Sequence, residues 1–267
     1  MSAAGTLGDA LDRIAGTPRL LVALDLDGTL APLRDDPMTA RVPPEARAAI
    51  QALAALPDTD VAIVSGRSLR DLRVIAEHDD ASAVHLAASH GAESWHPGET
   101  APPDPGPGPA VAAATDAARA AIADLTGPWV EPKRMGFALH TRTADAGPAA
   151  AARARIDSLM ADRAPGWRRR TGHDILEFAA RPEGKDTALA DLRRRTGASA
   201  VLYVGDDVTD EDALASLGAE DLGVRVGDGP TAASVTVPDP PAVARMLAGL
   251  ARRRAERSAG PGNRLQR

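Results

Sequence analysis

The chain has 267 residues, of which 44% are hydrophobic and 25% are charged, and its formal net charge at pH 7 is −6. Its length exceeds that of an average domain and suits a core domain that carries an insert. The negative charge, with no basic stripe that alternates with aromatic residues, argues against nucleic acid as a main partner. There is no cysteine, so disulfides and thiolate metal sites are excluded, and a metal ion would be bound through oxygen.

The N-terminal segment shows no targeting pattern. Residues 1–18 lack the basic start and the long apolar run of a signal peptide or a membrane span. We therefore expect a cytoplasmic protein without a membrane partner.

The first predicted strand ends in two aspartates. Residues 20–24 (LLVAL) form an apolar run typical of a buried parallel strand, and Asp25, Asp27 and the turn residue Gly28 follow it. Because α/β sheets bind ligands at this edge, the motif predicts that one carboxylate attacks a substrate while the other transfers a proton. A solvated turn after a strand is the alternative that this motif alone leaves open.

Two further apolar runs also end in polar residues. Residues 61–64 (VAIV) precede Ser65, whose hydroxyl could donate a hydrogen bond to a phosphate oxygen, and residues 84–88 (VHLAA) precede the segment 89–93 (SHGAE). Neither segment is specific alone, since Ser-Gly is an ordinary turn pair. Together they indicate that several strand ends converge on one edge of a sheet.

A change in composition marks an inserted domain. Residues 96–109 are rich in proline and glycine and predict a linker, and a second breaker follows at residues 181–184 (RPEG). We therefore predict a discontinuous core, residues 1–103 and 184–267, interrupted by a cap of residues 104–183.

The cap is predicted to contain two helices and a small antiparallel sheet. Its helices are predicted at residues 111–125 and 149–160, and two strands at residues 137–143 and 174–178. It holds four of the six aromatic residues, Trp129, Phe137, Trp167 and Phe178. These could form a platform for stacking a sugar, but a small domain needs large side chains for its own core, and we interpret them as core residues.

Lysine is rare, since the 31 basic residues include only Lys133 and Lys185. A chain so biased toward arginine is expected to keep lysine where a compact ammonium group is needed. Residues 185–192 have the spacing of an amphipathic helix, and a cation at a helix N-terminus opposes the helix dipole. A bound phosphate would compensate for this, so Lys185 is a candidate phosphate ligand, with chance retention as the competing explanation.

The last predicted site strand, residues 201–204, leads into a dense acidic cluster. The five acids are Asp206, Asp207, Asp210, Glu211 and Asp212. Carboxylates this close repel one another unless a cation lies among them, and oxygen ligands suit Mg²⁺. An acidic helix N-terminus is the alternative, which could account for residues 210–212 but accounts poorly for Asp206 and Asp207.

In chain order, the motifs DxDGT, SGR, an isolated lysine and GDDxxD resemble those of the haloacid dehalogenase-like phosphohydrolases. Within that superfamily, residues 89–93, 131–133 (EPK), 140–142 (HTR) and 205–211 are similar to the trehalose-6-phosphate phosphatase family. The resemblance extends over about residues 20–250 by pattern alone. It implies an α/β fold with a Rossmann-like parallel-sheet core and an inserted α/β cap.

The resemblance also implies a mechanism for hydrolysis of a small-molecule sugar phosphate, trehalose 6-phosphate, to trehalose and phosphate. Asp25 would attack phosphorus and form an aspartyl-phosphate, while Asp27 would protonate the leaving sugar oxygen and later activate water. Lys185 and Ser65 would stabilise the phosphoryl oxygens together with a metal ion.

The metal implied by the resemblance is Mg²⁺. Its ligands would be Asp25, the main-chain carbonyl of Asp27, and Asp206. Asp207 and Asp210 would orient the waters around the metal, or Lys185, from outside the ligand set.

Sugar recognition is implied for the cap, whose closure would exclude water. Glu131 and Lys133 match the glucosyl-binding E-x-K of the family, and His140 and Arg142 alternate along a predicted strand, although both could be ordinary surface residues. The full set of candidate substrate-binding residues is Arg67, Glu131, Lys133, His140, Arg142 and Glu177.

Three departures from the family pattern affect the sugar rather than the phosphate chemistry. Thr141 replaces the usual tyrosine, Asp186 stands where relatives generally have glycine, and Glu177 and Arg181 are spaced more widely than in E-x-R-P. They leave open another substrate, such as sucrose phosphate or mannosylglycerate phosphate.

A catalytically silent sugar-phosphate sensor, or a partner domain of a trehalose-phosphate synthase, is the alternative from another functional class. The presence of Asp25, Asp27, Lys185 and Asp206 argues against a silent module. A functional link to such a synthase is compatible with an active enzyme as well.

Overall fold

The computed structural model describes residues 6–34, 36–101, 106–172, 174–181 and 183–258. The chain divides into two units, of which one comprises Met1–Ala101 and Gly184–Arg267 and the other Pro102–Glu183. We call them the core unit and the inserted unit. The boundary predicted between residues 103 and 104 lies outside the described residues.

The strands in chain order are β1 (Leu20–Leu24), β2 (Thr59–Val64), β3 (Val84–Ala88), β4 (Glu93–Trp95), β5 (Trp129–Lys133), β6 (Gly136–His140), β7 (Arg168–Gly172), β8 (Ile175–Ala179), β9 (Ala200–Gly205), β10 (Leu222–Val226) and β11 (Val235–Val237). The α-helices are α1 (Leu7–Ala15), α2 (Pro44–Ala54), α3 (Leu69–Ile75), α4 (Pro109–Ala121), α5 (Ala146–Arg163), α6 (Lys185–Thr196), α7 (Val208–Ala215) and α8 (Pro240–Ser258). Short 3-10 turns lie at Pro37–Thr39 and Ser89–Gly91.

The core unit contains a seven-stranded sheet in the order β11-β10-β9-β1-β2-β3-β4. All neighbouring strands are parallel except β4, which pairs antiparallel with β3 at the edge. β1 lies between β2 and β9, so its carboxyl end is flanked by theirs. The predicted α/β fold with a parallel-sheet core is confirmed.

Both faces of this sheet are covered by helices. Leu20, Val22 and Leu24 pack in a cluster with apolar residues of α1, α2, α3 and α8, whereas Leu21 and Ala23 pack with residues of α6 and α7. Because alternate residues of β1 point to opposite covered faces, the whole strand is apolar and buried. Polar groups can therefore enter only where the strand ends.

The inserted unit is a four-stranded antiparallel sheet in the order β5-β6-β8-β7, with α4 and α5 on one face. The face toward the helices carries Val130, Phe137, Leu139, Leu176 and Phe178. Both predicted helices are present with shifted ends. The strands β5 and β7 were not predicted, because β5 contains Pro132 and β7 reads RRRTG, and both lie at edges of the sheet, where such sequences are tolerated.

Two predictions for the inserted unit are wrong. The strand predicted at residues 137–143 ends at His140, and Arg142 lies exposed in the following turn rather than beside His140 on a strand face. Trp129 does not belong to the core of this unit, since it is 46% exposed, whereas Phe137 and Phe178 are buried and Trp167 packs against them. The Trp129 side chain alternates with Val130, which faces the helices, and so lies on the opposite face.

Across the described ranges, no helix combines the length and the apolar character that crossing a bilayer requires.

Candidate active site

Three polar side chains lie at the carboxyl ends of adjacent strands. Asp25 follows β1, Ser65 follows β2, and Asp206 follows β9. The Asp25 N–H donates to the carbonyl of Val204 (2.9 Å), so the ladder between β1 and β9 continues up to the aspartate. This is the edge of a parallel sheet at which α/β folds bind ligands.

Lys185, the first residue of α6, is only 3% exposed and contacts two carboxylates. Its Nζ donates to Asp25 Oδ1 at 2.6 Å and to Asp210 Oδ1 at 2.7 Å. The sequence argument expected a phosphate to compensate for this cation at the helix N-terminus. In the structure, the two carboxylates compensate for it directly, which places Lys185 against the predicted nucleophile.

Asp210 is fully buried and accepts four hydrogen bonds. Its Oδ1 accepts from Lys185 Nζ and from the Tyr203 hydroxyl at 2.5 Å, and its Oδ2 accepts from the N–H groups of Asp206 (3.1 Å) and Asp207 (3.0 Å). A Cβ atom at Gly205 would overlap the Asp210 carboxyl group. Asp210 thus fixes both the loop after β9 and the ammonium group of Lys185. Tyr203 was not among the predicted site residues.

Asp206 is held by the loop that follows β1. The Thr29 hydroxyl donates to Asp206 Oδ1 at 2.9 Å. Gly28 has a φ of +83°, and a Cβ atom there would overlap Asp206 Oδ2. The DxDGT motif therefore needs glycine both for its left-handed backbone and for the approach of this carboxylate.

Asp207 has a different environment from the one expected. It is the N-cap of α7, and its Oδ1 accepts from the N–H of Val208 at 2.7 Å. Glu211, in the first turn of α7, accepts from Arg225 at 2.8 Å. The helix N-terminus thus accounts for Asp207, contrary to the sequence interpretation, whereas Asp206 faces the DxDGT loop.

Burial and crowding shift the titration of this cluster. Burial, followed by the charge of Asp210, raises the pKa of Asp25 well above its ordinary value, although Lys185 opposes the shift. Burial is also the main cause that raises the pKa of Asp206 to about 6. Burial alone would lower the pKa of Lys185, but the charges of Asp210 and Asp25 outweigh it and raise the pKa overall. The arrangement therefore holds more negative charge than its single lysine neutralises.

These carboxylates are suited to hold a divalent cation. One oxygen each of Asp25, Asp206 and Asp210 lies within 4.8 Å of the others. Each of the two Asp210 oxygens already accepts two hydrogen bonds. Asp25 and Asp206 are therefore the side chains better able to bind a metal ion. The hard oxygen donors and the raised pKa of these two groups fit Mg²⁺.

The side chain of Asp27 turns to Arg67 instead. Arg67 Nε donates to Asp27 Oδ2 at 2.6 Å, and its terminal nitrogen donates to Asp27 Oδ1 at 2.7 Å. Arg67 also donates to the carbonyl of Pro37 at 2.9 Å, and its own N–H donates to Ser65 Oγ at 3.2 Å. The segment after β2 therefore contacts the predicted acid–base group directly.

The polar segment after β3 supports the loop that contains Ser65. Ser89 and His90 have φ values of 48° and 56°, which are rare for residues other than glycine. A Cβ atom at Gly66 would lie 2.7 Å from the His90 ring, so the two loops are in close contact. Glu93 accepts from the N–H of Leu69 at 2.8 Å and so binds the start of α3.

The predicted sugar-binding residues of the inserted unit lie mostly on the sheet face that the helices leave open. The strand register places Glu131 and Glu177 on either side of Ala138, and Lys133 and His140 point to the same face. His140 Nε2 and Glu131 Oε2 share a hydrogen bond of 2.8 Å, and Lys133 Nζ lies 3.8 Å from Glu177 Oε2. Arg142 is outside this group.

Glu131 is a hydrogen-bond acceptor on this face. Burial alone would raise the pKa of Glu131, but the hydrogen bond with His140 and the charge of Lys133 lower it overall. Trp129, Arg168 and Arg170 share this face by register and were not predicted. The alternation in WVEPK, which puts Trp129 on the side of Glu131 and Lys133, was the signal available in the sequence.

Known proteins share sequence similarity with this chain. A family model described as trehalose-phosphatase matches residues 23–239. The trehalose-phosphate phosphatase of Mycobacterium marinum is 32% identical over 255 residues, which cover 88% of this chain and 62% of that protein, so the chain spans less than two thirds of this relative.

Solved structures share the fold at lower identity. The C-terminal domain of C. albicans trehalose-6-phosphate phosphatase aligns with a TM-score of 0.78 at 20% identity and covers 94% of this chain and 98% of that domain. The C-terminal domain of the Candida albicans trehalose synthase regulatory protein aligns with a TM-score of 0.72 at 13% identity, covering 91% and 97%. Since the family model matches well over half of the sequence, the chain belongs to the trehalose-phosphatase family.

Proposed function

We propose that this chain hydrolyses trehalose 6-phosphate to trehalose and phosphate through an aspartyl-phosphate on Asp25. The observation that carries the proposal is the contact of Asp25 with Lys185, beside Asp206, in a chain of this family. The reaction would be the last step of trehalose biosynthesis, and a trehalose-phosphate synthase would supply its substrate.

In the first step, a carboxylate oxygen of Asp25 attacks phosphorus in line with the sugar oxygen. The new O–P bond forms as the bond from phosphorus to the sugar oxygen breaks, and its electron pair passes to that oxygen. Lys185 favours the ionised nucleophile, as its effect on the Asp25 pKa indicates, and its ammonium group faces the incoming negative charge. Ser65 lies at the end of the adjacent strand as a further hydrogen-bonding group.

Phosphatases of the haloacid dehalogenase-like superfamily generally use Mg²⁺. In this chain, Asp25, Asp206 and the main-chain carbonyl of Asp27 would hold it, with Asp210 as the group that positions Lys185. When bound, the ion would supply positive charge that stabilises the phosphoryl oxygens in the transition state.

Asp27 gives a proton to the leaving sugar oxygen and later takes one from the water that attacks phosphorus in the phosphoenzyme. As that water oxygen bonds to phosphorus, the bond from phosphorus to the Asp25 oxygen breaks, and its electron pair returns to the Asp25 carboxylate as inorganic phosphate leaves. In the structure, both of its oxygens accept hydrogen bonds from Arg67, so both are engaged away from the position of a leaving sugar oxygen. We therefore propose that Arg67 changes its partner when substrate binds. Its guanidinium group then binds the substrate phosphate, which releases Asp27 for proton transfer.

The open face of the inserted unit is assigned to sugar recognition. It combines the acceptor Glu131 with Lys133, His140 and Glu177, so it offers donors and acceptors to hydroxyl groups. The position of Arg142 in a turn makes it the weakest member of the predicted set.

The test is phosphate release from trehalose 6-phosphate, sucrose 6-phosphate and glucose 6-phosphate, with Mg²⁺ and with EDTA. We expect selective release from trehalose 6-phosphate that EDTA abolishes. Preference for another sugar would retain the mechanism but overturn the substrate. No release from any of them would overturn the enzymatic function and favour a sugar-phosphate sensor.

A further inference from the structure

Trp129 stands apart from the other tryptophans of the chain. Trp95 is fully buried in the core unit and Trp167 packs against the core of the inserted unit, whereas Trp129 is 46% exposed. Leaving much of an indole ring in water forgoes the burial that stabilises most large aromatic side chains. Its position therefore calls for an explanation other than packing.

The indole ring is held in a defined orientation despite its exposure. It stacks on the His140 ring with 4.2 Å between centroids and an angle of 9° between planes. The His140 ring is itself fixed by its hydrogen bond to Glu131. One face of the indole is thus occupied by imidazole, and the exposed part of the ring belongs to a side chain on the sheet face that the helices leave open.

The groups around this ring match the chemistry of a sugar. A pyranose ring has faces made of C–H bonds, which pack on aromatic rings, and a rim of hydroxyls, which need donors and acceptors. The face that carries Trp129 also carries Glu131 and Lys133 on the same strand and Glu177 two strands away. An aromatic plane beside charged hydrogen-bonding groups is typical of a site for a polar ring.

We propose that Trp129 is a specificity-determining residue that stacks against a pyranose ring of the substrate, while Glu131 and Lys133 bind the hydroxyls of that ring. This inference rests on the proposed function insofar as the substrate carries a glycosyl group. It departs from the sequence interpretation, which placed Trp129 in the core. It also gives His140 two roles. Its imidazole hydrogen-bonds to Glu131, and it supports the indole ring of Trp129.

Fluorescence offers a test that is independent of catalysis. In a Trp167→Phe variant of the full chain, only Trp95 and Trp129 emit, and Trp95 is shielded from solvent. We expect trehalose to change the emission of this variant saturably and sorbitol, which has no ring, to leave it unchanged. Adding Trp129→Phe should abolish the response. A saturable response that survives loss of Trp129, or no response to trehalose, would overturn the proposal.

Kinetics separates a specificity role from a structural one. For Trp129→Ala, we expect kcat/KM on trehalose 6-phosphate to fall about tenfold, mostly through KM, which corresponds to one aromatic contact. The loss on p-nitrophenyl phosphate, which has no sugar, should be much smaller, and Trp129→Phe should recover most of the loss. Val74→Ala, which removes another exposed apolar side chain, is the control and should match the parent. Equal losses on both substrates would refute the specificity role.

The two proposals fail in different ways. If the parent releases no phosphate from trehalose 6-phosphate but trehalose still changes Trp129 emission, the proposed function fails and the stacking role stands. If the parent is selective for trehalose 6-phosphate and Trp129→Ala is as active and selective, the proposed function stands and the stacking role fails.

Discussion

Replacing Asp210 by asparagine tests how strongly the site is organised by one buried carboxylate. Each Asp210 oxygen accepts two hydrogen bonds in the native protein. Asparagine has nearly the same shape but only one oxygen, and its NH₂ group cannot accept. In either orientation, two donors lose their acceptor, either Lys185 and Tyr203 or the N–H groups of Asp206 and Asp207.

The cost follows from these lost bonds. A hydrogen bond to a charged group contributes about 1.5–3 kcal/mol, so two of them give about 3–6 kcal/mol. The estimate overlaps the roughly 3–5 kcal/mol for breaking a buried ion pair by removing one partner. Against a typical stability of about 5–15 kcal/mol, this is a large fraction of the total.

The assay is urea unfolding of the metal-free protein, compared with the matched variant Asp191→Asn. Asp191 is exposed and pairs with exposed Arg194, so its replacement should cost less than about 1 kcal/mol. If Asp210→Asn does not fold, Tyr203→Phe removes a single donor to Asp210 and should cost about 1.5–3 kcal/mol. The reasoning is refuted if Asp210→Asn, or in its place Tyr203→Phe, destabilises the protein no more than Asp191→Asn does.

Four further predictions concern the chemistry. Asp25→Asn should abolish phosphate release and leave the circular dichroism spectrum unchanged, because the amide is a poor nucleophile of similar shape; retained turnover would contradict the aspartyl-phosphate. Glu131→Ala should reduce kcat/KM far more for trehalose 6-phosphate than for p-nitrophenyl phosphate, and equal losses would argue against sugar recognition. Arg67→Lys, which cannot form the bidentate pair with Asp27, should lower kcat for trehalose 6-phosphate more than for an aryl phosphate with a good leaving group, and identical effects would exclude a role in proton transfer. Mg²⁺ should raise Tm more at pH 7.5 than at pH 5, because the pKa of Asp206 is raised to about 6 and protons compete with the metal for this carboxylate below that pH. An increase in Tm that does not depend on pH would remove Asp206 from the ligand set.

The metal-free protein should also show the sign of the Asp206 shift. Its folded pKa of about 6 exceeds the ordinary value of 3.8, so the folded state binds more protons than the unfolded state between these values. The contribution of Asp206 therefore favours folding at acid pH and is lost as the pH rises through 6. Above pH 6 the ionised Asp206 carboxylate therefore lowers the stability of the metal-free protein, and a bound cation is expected to restore it.

Local patterns predicted the core unit well because its strands are covered on both faces. Such strands are continuously apolar, so the polar residues at their ends stand out, as Asp25, Ser65 and Asp206 do. Tyr203 and Thr29 did not stand out, because one lies within an apolar strand and the other in a turn. Their roles depend on contacts with Asp210 and Asp206, and the contact between Thr29 and Asp206 spans 177 positions of the chain.

The inserted unit was less predictable because its sheet is covered on one face. The strand β7 carries three consecutive arginines, of which Arg169 pairs with Asp157 of α5, a partner that no local pattern reveals. The strand β6 is short and ends at His140, so Arg142 lies beyond the strand and does not share a strand face with His140. Trp129 was assigned to the core from composition, but its neighbours in β5 decide which face it occupies.

The order of the strands has a consequence for how the protein is made. β9 pairs with β1, although β9 follows the inserted unit in the chain, and Lys185, Asp206 and Asp210 also follow it. A nascent chain that has emerged only to residue 183 therefore has β1 with one unpaired edge and none of these charged partners for Asp25. During that interval, the exposed edge is open to incorrect pairing with other chains. The assembly of Asp25 with Lys185 and Asp206 and the pairing of the second edge of β1 thus arise together, after the inserted unit has been made, when β9 pairs with β1.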